Sequence, residues 1–287
     1  MSVSAGQTLT FPIRSDKFTM SVQVSEVLHR QQSEFQLIEI FDTPAFGRML
    51  FLDGHVQLAE LDEQAYHESL VHIPLLNVAR PKKALVVGGG DGGVLRELLK
   101  YPDLEIDMVE IDMAVIEASR AHLEFLNQGV FEHPRVNLFV QDAFPFVKQS
   151  GIGPYDLIVM DSTDTYEEED GEISAMLFTQ EFFNDCKNLL SEQGFVVTQA
   201  DNLVFCPYSL VSIRQEYSKV FPHVESYSTL VPSFGGFSGY CYASKGATLS
   251  PEYPSERAEI LKLHYLNKLT YQLAFAPIPF RNIYATD

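Results

Sequence analysis

Basic side chains, cysteines and long apolar runs are all scarce in this sequence. Only 20 of its 287 residues are Lys or Arg, against 39 Asp and Glu, so the formal net charge is −19. This acidity argues against nucleic-acid or anionic-membrane binding and favours cationic partners, although many proteins are simply acidic. No apolar run reaches the roughly 18 residues of a membrane span, and the first residues lack the apolar block of a secretory signal. We therefore expect neither segment.

The few cysteines and the histidines show no metal-ligand spacing. An odd, sparse set of three cysteines (Cys186, Cys206 and Cys241) predicts reduced thiols and a cytoplasmic protein. Cys186 lies in an apolar helical pattern, which predicts core packing. Core or surface roles are also expected for five histidines, namely His67, His72, His122, His133 and His223. The sequence thus predicts no metal site.

Length and composition favour one large α/β domain with a small module before it. Apolar residues make up 46% and charged residues 21% of the chain, which is enough apolar surface for a folded core. We predict a β-strand domain over residues 1–60 and a catalytic domain over residues 61–287.

The first sixty residues have the character of β-strands. Residues 19–29 and 35–41 are predicted strands, and Asp53-Gly54 between two apolar runs predicts a hairpin with a type I′ turn. Residues 61–79 then predict a helix, with Asp62 as its cap and Pro74 as a bend or interruption.

From residue 82 onward, short apolar runs alternate with helical patterns. Helices are predicted over residues 94–100, 113–126, 182–190 and 210–220, and strands over 84–87, 106–110, 136–140, 157–160 and 195–199. Residues 224–230 and 240–243 predict a closing antiparallel pair. The alternation predicts a mostly parallel sheet with helices on both faces, and such sheets bind ligands beyond the carboxyl ends of their strands.

A glycine-rich turn follows the first strand of this sheet. Gly88, Gly90 and Gly93 satisfy G-x-G-x-x-G, and Glu110 stands twenty residues after Gly90 at the end of the next strand. A carboxylate at that position can accept both hydroxyls of a ribose, so the pattern favours a nucleoside site over a plain tight turn. Asp91 within the loop would repel a pyrophosphate, which favours a positively charged nucleoside such as a sulfonium cofactor over NAD.

Acidic residues also end the third and fourth strands. Asp142, followed by Ala143, could accept a hydrogen bond from an adenine amino group, or could equally cap the next helical segment. Asp161 and Asp164 can face one pocket, where one takes a proton and the other holds an ammonium group. Seven carboxylates occur from Asp161 to Glu172. That run is either a solvated loop or a rim that collects cations.

These features together resemble the spermidine synthase family, the polyamine aminopropyltransferases. The resemblance covers residues 41–244 and is carried by an ordered set of motifs: Phe46-Gly47-Arg48, Leu52-Asp53-Gly54, Gln57, Asp62-Glu63, Tyr66-His67-Glu68, residues 88–92, Glu110-Ile111-Asp112, Asp142-Ala143, Asp161-Ser162-Thr163-Asp164, Leu177-Phe178-Thr179 and Gln199. It implies a methyltransferase-like Rossmann domain preceded by a small β domain, and a homodimer.

The resemblance also implies an activity and roles for residues. The family moves an aminopropyl group from decarboxylated S-adenosylmethionine, a co-substrate rather than a resident cofactor, to an amine such as putrescine. Asp161 would accept the proton of the attacking amine, and Tyr66, Asp164 and Gln199 would orient that amine. The donor would be bound by Gln57, His67, Gly88, Gly90, Asp91, Glu110, Asp142 and Ala143.

Three departures from the family pattern fall on the acceptor side. Thr165 stands where Pro is usual, residues 165–174 form a longer and more acidic connection, and Phe234 replaces a Tyr. A long acidic loop beside the site could act as a lid, which suggests an acceptor longer than putrescine, such as spermidine or agmatine.

Two further functions fit part of the pattern. One is an S-adenosylmethionine-dependent methyltransferase, which would share the glycine loop and Glu110. Asp91 and the Tyr66-His67-Glu68 cluster speak against it. The second is a non-enzymatic protein that binds a nucleoside or a polyamine, and the retained Asp161 and Asp164 speak against that function.

Overall fold

A computed structural model describes residues 4–13, 15–162 and 177–278 of the chain. The described strands are β1 (Thr8–Ile13), β2 (Ser15–Gln23), β3 (Glu26–Gln32), β4 (Leu37–Thr43), β5 (Gly47–Leu52), β6 (His55–Ala59), β7 (Lys83–Gly88), β8 (Glu105–Glu110), β9 (Val136–Val140), β10 (Tyr155–Asp161), β11 (Leu190–Asn202), β12 (His223–Val231) and β13 (Gly236–Ser244). The described helices are α1 (Glu63–Leu75), α2 (Gly93–Leu99), α3 (Met113–His122), α4 (Glu124–Asn127), α5 (Ala143–Phe146), α6 (Gln180–Leu189), α7 (Pro207–Ser218), α8 (Ser255–Leu261) and α9 (Lys268–Ala274).

The strands before α1 form two antiparallel sheets. β1 pairs with β2, and β3 to β6 form a four-stranded sheet in chain order. The hairpin between β5 and β6 turns at Asp53 and Gly54, whose φ angles are 48° and 79°. Both values are positive, as a type I′ turn requires, so the predicted hairpin is confirmed.

The remaining strands form one seven-stranded sheet with the order β12-β13-β11-β10-β7-β8-β9. Strands β11, β10, β7, β8 and β9 run parallel, whereas β13 is antiparallel to both β11 and β12. Apolar residues of β7 and β10 are fully buried because helices cover both faces of the sheet. The predicted mixed α/β fold with a mostly parallel sheet is confirmed, and β7, β10 and β8 align three carboxyl ends at one edge.

Helix α1 joins the N-terminal sheets to the central sheet. It ends at Leu75, so Pro74 lies in its last turn and terminates the helix rather than bending it. Asp62 does not cap the helix, contrary to prediction. Its carboxylate instead accepts hydrogen bonds from the backbone N–H and the hydroxyl of Ser233, at 2.7 and 2.8 Å. The local sequence pattern assigned this side chain to helix capping, but it bonds instead to a residue that is distant in the chain.

Several other boundaries differ from the prediction. Residues 19–29 were predicted as one strand, but the chain turns at Val24 and Ser25 and forms parts of β2 and β3. The predicted helix over residues 113–126 divides at Leu123 into α3 and α4. Strand β1 and the C-terminal helices α8 and α9 were not predicted. The C-terminal part is anchored by buried Glu68, whose carboxylate accepts from the backbone N–H groups of residues 264–266.

In the described ranges, every helix is too short or too polar to cross a bilayer. Cys186, Cys206 and Cys241 are all buried as free thiols, and Cys186 packs in the apolar layer of α6 as predicted.

Candidate active site

A cavity of about 660 Å³ opens at the carboxyl ends of the parallel strands. Its floor comes from the segments that follow β7, β8, β9 and β10, together with the end of β11. The hairpin of β5 and β6, with residues from β1, covers it from the N-terminal side. The site therefore lies where parallel sheets bind ligands, as expected from the strand pattern.

Close packing against backbone atoms at one position and side-chain atoms at the other explains why glycine occupies two positions of the loop after β7. At Gly88, where φ is +82°, an added Cβ would lie 2.2 Å from the carbonyl oxygen of Asp161. At Gly90, an added Cβ would lie 3.1 Å from Oε2 of Glu110. The loop thus passes directly against β10 and against the predicted ribose-binding carboxylate.

Glu110 ends β8 with its carboxyl group facing the cavity. Its Oε1 accepts a hydrogen bond from the backbone N–H of Asp112 at 2.9 Å. Burial raises the pKa of Glu110 to about 7, against the opposing effect of backbone N–H donors. Two hydroxyl donors from a ribose would favour the ionised carboxylate, so a nucleoside and a proton compete for this group.

Gln57, Asp142 and Ala143 also line the cavity. Asp142 caps α5, since its Oδ1 accepts from the N–H of Phe144 at 2.8 Å. The interpretation of Asp142 as a helix cap is therefore correct. A carboxylate has two oxygens, so capping by one of them is compatible with a hydrogen bond from a ligand to the other.

Asp161 at the end of β10 forms the centre of the site. Its Oδ1 accepts a hydrogen bond from the hydroxyl of Tyr66 at 2.6 Å, which joins α1 to the central sheet. Burial and the nearby charge of Asp91 raise the pKa of Asp161 to about 6. Burial and the charge of Asp161 raise the pKa of Tyr66 well above its usual value, so the phenol stays protonated. The carboxylate is ionised above neutral pH and can accept a proton.

Asp91 lies in the glycine loop between the cavity and His67. Its Oδ1 accepts from the N–H of Gly93 at 2.6 Å and lies 3.6 Å from Nε2 of His67. Burial alone would raise the pKa of Asp91, but the charge on His67 outweighs it and the pKa falls. His67 itself is buried behind Asp91 and is not among the cavity-lining residues. A role in donor binding would therefore act through Asp91.

Tyr66 and Gln199, predicted to contact the acceptor, line the cavity together with Phe234. The Phe234 ring stands edge-on to Tyr66, with 5.6 Å between ring centroids. The position where a phenol was expected thus lies in the site and carries an apolar ring. Asp164 and the acidic segment of residues 165–174 lie outside the described residues.

Comparison with known proteins identifies the family. The family model described as "Spermine/spermidine synthase domain" matches residues 63–251, and "Spermidine synthase tetramerisation domain" matches residues 10–60. The chain belongs to the spermine/spermidine synthase family. The resemblance found in the sequence is thereby confirmed, and the chain belongs to a family of aminopropyl-transferring enzymes.

Curated members of this family cover most of the chain. A polyamine aminopropyltransferase of Alkaliphilus metalliredigens is 38% identical over 79% of this chain and 78% of its own length. A spermidine synthase of Dictyostelium discoideum is 36% identical over 90% of this chain and 89% of its own length.

Two solved spermidine synthase structures share the fold. A spermidine synthase in complex with the transition-state analogue AdoDATO superposes with a TM-score of 0.86 at 30% identity, covering 95% of this chain and 92% of the other. The spermidine synthase of Thermotoga maritima gives a TM-score of 0.85 at 30% identity, covering 95% and 91%.

One cluster of ionisable side chains raises the question of whether it holds a metal ion or an ammonium group. Ligand atoms of His67, Asp91 and Asp161 all lie within 4.8 Å of one another. Burial would lower the pKa of His67, but the carboxylates of Asp91 and Glu63 outweigh it and raise it to about 10. A protonated imidazole carries a positive charge, so Asp91 and Asp161, which both line the cavity, are the members of the cluster that could pair with an ammonium group. Sequence spacing could not reveal the cluster, because its members come from three separate elements.

Sequence reasoning missed Asp201, a further carboxylate of the cavity. It lies near the end of β11, is 8% exposed, and has a φ of 61°, which is unusual for a residue other than glycine. Its backbone N–H donates to Oε1 of Gln199 at 3.2 Å, so the two residues support each other. The signal available in the sequence was its position at a strand end, two residues after Gln199, which was a predicted site residue.

Proposed function

We propose that this protein is a spermidine synthase, which transfers the aminopropyl group of decarboxylated S-adenosylmethionine to putrescine. The observation that carries this proposal is a single cavity that joins Glu110 and Asp91 on one side to the hydrogen-bonded Asp161 and Tyr66 on the other. The first pair suits a cationic nucleoside, and the second suits an amine that must lose a proton. The named activities of the relatives point the same way.

The reaction balances with the groups that the cavity supplies. The neutral nitrogen of the acceptor attacks the carbon next to the sulfonium, so a C–N bond forms as the C–S bond breaks. The electron pair of the broken bond goes to sulfur and neutralises it, and methylthioadenosine leaves. The product nitrogen then gives its extra proton to Asp161, whose other contact with Tyr66 keeps the carboxylate aligned.

The two substrates are held through opposite charges. Asp91 would pair with the ammonium of the aminopropyl chain, and Glu110 with the ribose hydroxyls, while Gln57, Asp142 and Ala143 would surround the remainder of the donor.

On the acceptor side, Asp161 and Asp201 both line the cavity and provide one carboxylate for each nitrogen of a diamine. Tyr66 and Gln199 would orient the attacking nitrogen. Asp164 retains its proposed acceptor role on the sequence alone.

A longer acceptor is the second candidate, and Phe234 is the observation that favours it. An apolar ring beside Tyr66 offers contact to methylene groups rather than to a nitrogen. Spermidine and agmatine therefore stay in the set of amines to be tested beside putrescine.

We also propose that the protein works as a homo-oligomer, because the model that matches residues 10–60 is named for tetramerisation. Our sequence-based expectation was a homodimer, and sedimentation equilibrium of the purified chain separates dimer from tetramer. The cytoplasmic location predicted from the sparse cysteines stays a prediction.

A panel of amines tests the proposed activity directly. Purified protein is incubated with decarboxylated S-adenosylmethionine and with putrescine, agmatine or spermidine in turn, and products are separated by chromatography. We expect spermidine and methylthioadenosine in equal amounts, with putrescine as the preferred amine. Preference for another amine would change the proposed acceptor only. The absence of methylthioadenosine with every amine, together with methyl transfer in a parallel incubation with S-adenosylmethionine, would overturn the proposed reaction.

A further inference from the structure

Behind Asp91 lies a chain of buried charges that the proposed reaction does not itself use. Glu63 and His67 occupy successive turns of α1, and Oε2 of Glu63 lies 2.8 Å from Nδ1 of His67. The two side chains are only 3% and 1% exposed. A carboxylate at this distance accepts a hydrogen bond from Nδ1–H and thereby fixes the orientation of the imidazole ring.

Arg96 of α2 holds Glu63 in place. Its two terminal nitrogens contact the two carboxylate oxygens of Glu63, each at 2.8 Å, and its Nε contacts Glu97 at 2.7 Å. This bidentate contact favours the ionised carboxylate. Burial alone would raise the pKa of Glu63, but the bonds to His67 and Arg96 outweigh it and lower the pKa.

The ring of His67 has no room to turn away from Asp91. An added Cβ on Gly93 would lie 2.3 Å from the ring, so the start of α2 packs directly on the imidazole. The titratable groups facing the ring are Glu63 and Tyr66 from α1, Asp91 from the glycine loop and Asp161 from β10, with Arg96 behind Glu63. Charges therefore alternate from Arg96 through Glu63 and His67 to Asp91.

This alternation distinguishes the two carboxylates of the site. Asp91 has the charged imidazole as a neighbour, which favours its ionised form. Asp161 has the Asp91 anion as a neighbour, which favours its protonated form. Two carboxylates whose surroundings push their proton affinities apart divide the roles of anion and base between them.

We propose that Glu63, clamped by Arg96, is a positioning residue that keeps His67 protonated and aimed at Asp91, so that Asp91 remains the anion for the donor's ammonium group and Asp161 remains the proton acceptor. This inference rests on the proposed aminopropyl transfer. It adds roles for two residues, Glu63 and Arg96, that touch neither substrate.

The chain offers a matched control on the same helix. His72 lies further along α1, and its Nε2 is 2.6 Å from Oε2 of Glu97 in an equally buried pair. This pair does not line the cavity. Glu97 also accepts from Nε of Arg96, but the two terminal nitrogens of Arg96 bind Glu63 independently of His72. Loss of His72 therefore removes a buried histidine–carboxylate contact while the contacts among Glu63, His67 and Asp91 are retained.

The test compares wild type, Glu63→Gln and His72→Gln by steady-state kinetics from pH 6.5 to 9.5, with decarboxylated S-adenosylmethionine and putrescine. In Glu63→Gln, we expect the donor KM to rise by about tenfold to 100-fold, the range found when a carboxylate that orients a metal-binding histidine is removed. The rise should grow with pH as His67 loses its proton, because a neutral ring no longer attracts the Asp91 carboxylate and holds it in place, and kcat should change much less. His72→Gln should lower the melting temperature but leave the donor KM and its pH dependence unchanged.

A second readout separates this inference from the proposed function. In ¹⁵N-histidine NMR spectra, the ring of His67 should stay protonated from pH 6.5 to 9 in wild type and titrate within that range in Glu63→Gln. If wild type transfers no aminopropyl group, the proposed function fails while the NMR result still decides the role of Glu63. An unchanged His67 titration, or a donor KM that is independent of pH in the variant, would overturn the inference. If Glu63→Gln does not fold, Arg96→Lys is the second variant. It keeps the positive charge but loses the bidentate contact with Glu63, and it must also raise the donor KM and lower the pH at which His67 titrates.

Discussion

Asp91 and Asp161 are both aspartates at one cavity, yet their surroundings give them different chemistry. Asp91 accepts a backbone N–H and faces charged His67, and its pKa is lowered from the usual value. Asp161 faces Asp91 and the neutral phenol of Tyr66, and burial together with the Asp91 charge raises its pKa to about 6. The first is suited to hold a cation, and the second to exchange a proton.

Asp91 should also select between two related donors. S-adenosylmethionine carries a carboxylate on the chain that decarboxylated S-adenosylmethionine lacks, and the Asp91 anion repels it. We expect calorimetry to show much weaker binding of S-adenosylmethionine than of the decarboxylated form. In Asp91→Asn this difference should shrink, mainly because the decarboxylated donor binds less tightly. Equal affinity of wild type for both compounds would contradict this role.

Glu110 predicts a pH dependence of nucleoside binding. Its pKa is raised to about 7 in the free protein, whereas ribose hydroxyls bind the ionised form. Because of this raised pKa, the free protein is stabilised by protonated Glu110 at low pH and loses that contribution as the pH rises through about 7. Below that pH the proton must leave before the ribose can bind. Methylthioadenosine should therefore bind about tenfold more tightly at pH 8 than at pH 6.

Isothermal titration calorimetry measures this dependence, and Glu110→Gln is the control. The variant should bind methylthioadenosine more weakly at every pH, and its affinity should no longer change between pH 6 and pH 8. If wild type showed no change either, Glu110 would not be the group that a proton and the ribose share.

At the scale of helices and strands, the contact between α1 and α2 sets the geometry of the loop. Gly93 opens α2, and an added Cβ would lie 2.3 Å from His67. Gly93→Ala should therefore push the two helices apart and destabilise the fold by about 1–3 kcal/mol, as overpacking of cores does. The displaced loop should also weaken donor binding.

The matched control for this change is Gly246→Ala. In the part of the chain that the structure describes, no atom lies within 4 Å of a Cβ added at Gly246, so that substitution should leave both properties unchanged. Thermal unfolding and the donor KM measure the two variants side by side. A Gly93→Ala protein as stable and active as Gly246→Ala would show that the contact is not required.

The elements also show which parts of the structure the sequence could predict. The hairpin at Asp53-Gly54 and the glycine loop before α2 depend on neighbouring residues, so local patterns were sufficient for both. Asp62 was misassigned because its partner, Ser233, is 171 residues away in the chain. Asp201 and Arg96 were missed for a related reason, since their roles depend on which strand or helix the fold brings beside them. Local structure was predictable where the interacting residues are neighbours in the sequence, whereas contacts between distant residues were not.

Over the whole molecule, the excess of acidic residues should attract polyamines. Glu167, Glu168 and Glu169 form the densest part of the acidic run beside the sequence position of Asp161. If these residues contact a long acceptor, changing all three to Gln should lower kcat/KM for spermidine more than for putrescine at matched ionic strength.

Non-specific attraction would give a different result, which salt distinguishes. Screening weakens interactions between exposed charges over a distance of about 10 Å at 0.1 M salt. If kcat/KM falls equally for both amines and the loss disappears at high salt, the acidic residues act only by raising the concentration of cations near the protein. The idea of a longer acceptor should then be abandoned.

Asp161 is the proposed proton acceptor in aminopropyl transfer, and a single-turnover measurement tests this role most directly. Protein loaded with decarboxylated S-adenosylmethionine is mixed with putrescine, and methylthioadenosine formation is followed from pH 6 to 9.5 for wild type and Asp161→Asn. Wild type should turn over faster as pH rises, because Asp161 ionises first and free amine becomes more abundant thereafter. The variant should bind the donor almost normally but react about 10²–10⁴-fold more slowly, as expected for a lost general base. A variant rate within a few-fold of wild type across this range would contradict the account.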